Sequence, residues 1–123
     1  MKATFIEVTG FTDCVEDHLT DVSYAGLQQA LMENPNAGDV MPGCGGLRKI
    51  RTADFKRGKG KRGGARIIYL HVLEAKRFYM LDIYGKNEKD DLAADEKRQL
   101  RILADELKSE AKAAHKRWQQ ENE

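Results

Sequence analysis

The chain has 123 residues, 41% hydrophobic and 33% charged, and a formal net charge of +1. That length suits one domain with its own core. It excludes a disulfide-stapled miniprotein, since Cys14 and Cys44 are the only cysteines, and no apolar run reaches the length of a membrane span. The near-neutral total conceals a segregation. Residues 1–44 carry one base against seven acids, residues 45–89 carry thirteen against four, and residues 90–123 carry seven against nine. A surface of two signs is expected. The N-terminus MKATFIEVTG has no signal-peptide core, so the cytoplasm is the expected compartment.

In chain order, Thr4 to Val8 is a short apolar run that reads as a first strand. Residues 11–19 read as a short helix, with Phe11, Val15 and Leu19 along one face. Asp21 or Ser23 then caps a second helix, whose Tyr24, Leu27, Leu31 and Met32 follow helical spacing. Asn34-Pro35 ends it, because a residue before proline is pushed out of the α region. Asn36 to Gly46 is glycine-rich loop, with a brief extended piece at Asp39–Met41.

Strands follow at residues 47–52, 65–73 and 77–84, the last two joined by a turn at Glu74-Ala75-Lys76. A three-residue turn sets Leu73 across from Arg77 and so Arg66 across from Tyr84; a four-residue turn shifts that register. The opposite face would hold Ile67, Tyr69, His71, Leu73, Tyr79, Leu81 and Ile83 as core. From Asp95 to about Gln119 a long helix carries Leu100, Leu103, Ala104, Leu107 and Ala111 on one stripe.

The stretch from Arg48 to Arg66 holds nine bases (Arg48, Lys49, Arg51, Lys56, Arg57, Lys59, Lys61, Arg62 and Arg66) and one acid, Asp54. Like charges so dense repel one another, and the arrangement is suited to a polyanion, phosphate above all. Gly58 to Gly63 has the form GxGxxG, but a strand follows it where a dinucleotide site needs a helix, so it is not one. The histidines His18, His71 and His115 lack ligand spacing, and His71 reads as a packed core residue. Glu88, Asp90 and Asp91 are helix-start acids rather than metal ligands. No metal and no other cofactor is expected. Tyr84 and Lys86 sit at a strand end beside a glycine, on an expected exposed edge, where a tyrosine either caps the core or serves a site.

The helix ended by Asn34-Pro35, then GDVMPGCGGLRKIR, KGKRGGARIIY and FYMLDIYGKNEKDDL before a C-terminal helix together resemble the RelE superfamily, and within it the HigB-like toxins of type II toxin–antitoxin modules. The resemblance spans residues 24–107. It implies a single domain over residues 1–123 with a compact α/β (α+β) RelE-like fold: an antiparallel central sheet, two N-terminal helices on one side and a C-terminal helix. It also implies ribosome-dependent cleavage of mRNA in the A site without a metal, a cognate HigA-like helix-turn-helix antitoxin, and no membrane partner.

Residue by residue, Lys49 and Arg51 match the family's basic pair on the first central strand, and Arg66 matches the strand arginine that stabilises the transition state. The family's arginine after the glycine–lysine of the last turn is Asn87 here, and no tyrosine lies near Leu92. Tyr84 or Lys86 stands in. The reading is Arg66 on the phosphate, Lys49 or Tyr84 as base, and Arg51 or Lys86 near the leaving oxygen. Arg48, Lys56, Arg57, Lys59, Lys61, Arg62 and Arg77 would hold RNA or ribosome backbone. The competing class is a non-catalytic basic RNA- or ribosome-binding module. Clustering of Lys49, Arg51, Arg66 and Tyr84 in one concave site separates the two.

Overall fold

The computed structural model describes residues 2–54, 56, 58, 60, 64–86 and 92–122. A five-stranded sheet in the order β1-β5-β4-β3-β2 separates two helical layers. Its strands are β1 (Thr4–Glu7), β2 (Asp39–Val40), β3 (Arg48–Thr52), β4 (Ala65–Val72) and β5 (Arg77–Gly85). The helices are α1 (Thr9–Cys14), continued by a 3-10 turn over Val15–Asp17, α2 (Asp21–Glu33) and α3 (Ala94–Glu121). The sheet is antiparallel as expected, except that β1 runs parallel to β5 at one edge. This follows from the path of the chain, because α1 and α2 carry it from β1 to the far edge before β2 begins.

Phe11, Val15, Leu19, Leu27 and Leu31 lie buried on one sheet face, against Ala65, Ile67, Tyr69, Phe78, Met80 and Ile83. Ala104, Leu107 and Ala111 of α3 cover the other face, against Ile68, Leu70, Val72, Tyr79, Leu81 and Tyr84. With both faces covered, β4 is buried along nearly its whole length, which explains its unbroken apolar run Ile67-Ile68-Tyr69-Leu70. The cap of α2 is Thr20 rather than Asp21 or Ser23. Its hydroxyl accepts from the Ser23 amide at 3.0 Å while the Ser23 hydroxyl accepts from the Thr20 amide at 2.8 Å. The helix stops before Asn34-Pro35, as the proline requires.

The β4–β5 hairpin differs from expectation in two ways that offset each other. Its turn has four residues, with Val72 facing Arg77, and Lys76 takes the left-handed conformation (φ 52°) that closes it. Between Ile68/Asp82 and Tyr69/Met80 the pairing slips by one, with Leu81 as the extra residue of a β-bulge. Arg66 therefore does face Tyr84. The slip moves Tyr79 and Leu81 to the α3 face, away from Ile67, Tyr69 and Ile83, and Leu73 lies exposed in the turn.

Candidate functional site

Cross-strand partners share a face of a sheet. Arg51 of β3 faces Arg66 of β4, which in turn faces Tyr84 of β5, so these three form one row across the sheet. The adjoining row is Lys49, Ile68 and Asp82. Both rows lie on the face that α3 covers, near the N-terminal end of that helix. There the sheet, the loop after α2 and the start of α3 enclose a cleft of about 740 Å³. Lys49, Arg51, Arg66 and Lys97 line it, with Asp39 as the lone carboxylate of the lining among the described residues. Asp39 is the register partner of Lys49 across β2–β3. Four cations against one acid in a concave site focus positive potential where an anion would sit.

Local structure fixes this arrangement. The Tyr69 hydroxyl donates to the Pro35 carbonyl at 2.7 Å and accepts from the Gly38 amide at 3.0 Å, pinning the loop that carries Asp39. Burial raises the pKa of that hydroxyl, which keeps it neutral and able to donate. Only glycine fits at position 38, since a Cβ would lie 2.8 Å from the Tyr69 ring and 2.9 Å from the Lys49 carbonyl. At the mouth of the β3–β4 hairpin, Gly64 packs against Thr52 so closely that a Cβ would sit 2.1 Å from the Thr52 carbonyl. The Gly64 carbonyl accepts from Arg66 Nη1 at 3.2 Å, holding the guanidinium next to its own strand.

The expected site residues divide by position. Lys49, Arg51 and Arg66 come together. Tyr84 neighbours Arg66 but is only 5% exposed and packs in the core beneath α3. The expected exposure is absent there: β1 pairs only with Arg77 to Met80 of β5, and Tyr84 is covered instead by the core cluster beneath α3. Lys86 is exposed beyond the end of β5 and outside the cleft lining. Arg48 points to the other face, and its guanidinium donates to the Gly38 carbonyl at 2.7 Å. Arg77 lies at the opposite end of β5, 3.1 Å from the Tyr79 hydroxyl and 3.8 Å from Glu110. Lys56 is exposed, and its ammonium donates to the Glu16 carbonyl. Arg57, Lys59, Lys61, Arg62, Asn87, Glu88, Asp90 and Asp91 lie outside the described residues.

Compared with known protein families, the sequence matches the one described as RelE toxin of RelE / RelB toxin-antitoxin system, over residues 17–123. The chain belongs to the RelE toxin family. It is thus a toxin of a toxin–antitoxin system by family. Among the described residues of this RelE-family toxin no group of three or more His, Cys, Asp or Glu side chains is gathered as a metal site would need. No helix among them is long and apolar enough to cross a membrane. Both cysteines are free.

Two features of the site escape a reading of the sequence. Lys97 reaches the cleft from α3, and nothing in its local pattern separates it from the other charges of that helix. His18 and Asp54 form a buried pair, Nδ1 to Oδ2 at 2.6 Å, each about 2% exposed. It ties the start of the basic loop to the corner between α1 and α2. A signal for this pair exists, because Asp54 is the single acid among nine bases.

Proposed function

We propose that this toxin is an mRNA endoribonuclease of the HigB-like branch that acts in the ribosomal A site. The observation that supports this is the gathering of Lys49, Arg51 and Arg66 in one concave cleft rather than along a flat face. In the reaction the 2′-hydroxyl oxygen of the substrate attacks the adjacent phosphorus as its proton leaves. The bond from phosphorus to the 5′ oxygen breaks, and that oxygen takes up a proton. The RNA supplies its own nucleophile, so the protein needs only to move protons and neutralise the phosphorane.

Arg66 serves the equatorial oxygens, because its planar fork is bidentate and always charged. Lys49 lines the cleft beside it and is better placed as base than the buried Tyr84. Arg51, across from Arg66, is better placed at the leaving oxygen than Lys86. The basic loop from Lys56 to Arg62 holds RNA backbone. The partner that silences the toxin is a HigA-like helix-turn-helix antitoxin, and the compartment is the cytoplasm.

Primer extension on translating ribosomes tests the reading with wild type and Arg66→Ala. Loss of one preorganised donor should lower cleavage roughly 10²–10³-fold, while the fold and ribosome binding survive. Arg66→Lys should rescue only in part, and cleavage should persist in EDTA. Full activity in Arg66→Ala would remove that residue from the site. Ribosome binding by wild type without any cleavage would leave a non-catalytic binding module.

A further inference from the structure

A second groove, of about 350 Å³, opens at the far end of the molecule from the cleft. Lys2, Lys76 and Arg77 line one side, and His115 and Trp118 of α3 line the other. Lys97 at the cleft and Trp118 at the groove are separated along α3 by roughly 30 Å at the helical rise of about 1.5 Å per residue. Trp118 is 59% exposed, a large apolar ring left in solvent near the end of a helix. It is stacked on His115, with centroids 5.9 Å apart and planes 12° from parallel, so its plane is set by a neighbour.

The cations come from three separate places in the chain: the N-terminus, the β4–β5 turn and the start of β5. Lys76 is held there by its left-handed backbone. Glu110 offsets part of the Arg77 charge at 3.8 Å, but Lys2 and Lys76 remain exposed.

We propose that this groove binds single-stranded RNA outside the scissile position, with a base stacked on Trp118 and the adjoining phosphates on Lys2, Lys76 and Arg77. The proposal extends the RNA reading of the cleft and rests on it only for the class of polymer. A flat aromatic beside cations is the combination that sequence-tolerant strand binding uses. An amphipathic protein segment is a poorer occupant. Apart from the tryptophan ring, the apolar lining consists of Ala3, Ala75 and Ala114, which give no depth for a large side chain.

Trp118 is the single tryptophan of the chain, so its fluorescence reports on this groove alone. The probe is a short oligoadenylate, titrated without ribosomes into full-length Arg66→Ala protein so that cleavage does not consume it. Quenching should saturate and weaken with salt. Changing Lys2 and Lys76 to Gln should flatten the salt slope by about 0.7 for each phosphate left without its cation. Oligoadenylate affinity followed by a label on the RNA should fall about tenfold in Trp118→Ala, with the circular dichroism spectrum unchanged. Absence of quenching at saturating RNA, or equal quenching by poly-glutamate, would overturn the proposal, the latter in favour of an acidic protein partner. The cleft reading stands or falls separately, on cleavage by Arg66→Ala.

Discussion

Arg66 of β4 faces Tyr84 of β5 across a hairpin whose turn alone would have set Arg66 against Ile83. Continuing the Val72–Arg77 pairing without a break leads to that other partner, and the extra residue Leu81 shifts the register by one. The bulge places Tyr84 on the same face as Arg66 and Arg51, beneath α3 and next to the cationic cleft.

That relationship makes the hydroxyl of Tyr84 separable from its ring. Tyr84→Phe keeps the packing under α3 and should remain folded, with a loss of about 1 kcal/mol for the buried hydroxyl. With Lys49 as the base, cleavage in primer extension should be unchanged, which assigns the Tyr84 ring to the core. A drop of about 10²–10⁴-fold would instead assign the proton transfer to the Tyr84 hydroxyl. Tyr84→Ala should cost about 3–5 kcal/mol in urea unfolding through the cavity it leaves, which distinguishes packing from chemistry.

The His18–Asp54 pair should behave as a buried hydrogen-bonded unit. Asp54→Ala removes the buried partner of the His18 Nδ1, and should destabilise the fold by about 1–3 kcal/mol. Because Asp54 follows β3 and begins the basic loop, RNA affinity should fall as well. Replacing both residues by leucine should restore part of the stability in thermal unfolding but not the affinity. A single variant as stable as wild type would show that the pair holds nothing in place.

At Gly64 a methyl group has nowhere to go, with the Thr52 carbonyl at 2.1 Å and the Gly60 carbonyl at 2.6 Å from the added carbon. Gly64→Ala must therefore push β3 from β4 at the mouth of the hairpin, two residues from Arg66. A loss of about 1–3 kcal/mol is expected, and cleavage measured well below the unfolding midpoint should fall further than that loss explains. Wild-type cleavage would mean that Arg66 tolerates a displaced strand.

His71 provides a test of pH dependence. Burial holds its imidazole below the ordinary value, with Glu74 opposing and Arg48 adding to the shift. Its Nε2 is buried with no hydrogen-bond partner among the described residues, and the ring stacks on Phe78 at 4.5 Å. Just below pH 6.5, the ordinary value, the unfolded chain binds a proton that the native chain does not. Stability present above that pH is lost as pH falls toward the native pKa. His71→Phe retains the stack and removes the titration, so its urea midpoint should fall less between about pH 7.5 and pH 5.5. Equal slopes for variant and wild type would exclude His71 as the source.

Much of this molecule is legible along the chain because it depends on neighbours a few residues away. Helical spacing of Phe11, Val15, Leu19 and of Leu103, Leu107, Ala111 marks both helical layers, and Pro35 marks the end of α2. The density of cations from Arg48 to Arg66 is legible in the same way, since charge repulsion acts over that short range whatever the fold, and three of them, Lys49, Arg51 and Arg66, line the cleft. The rest requires contacts between distant segments. That β1 pairs with β5 in parallel, that Asp54 meets His18 and that Lys97 closes the cleft all bring together residues more than thirty positions apart. The bulge at Leu81 has no local signature either, because Met80-Leu81-Asp82 reads as ordinary strand. Only packing against helices on both faces decides which of its side chains points where, and so decides what stands beside Arg66.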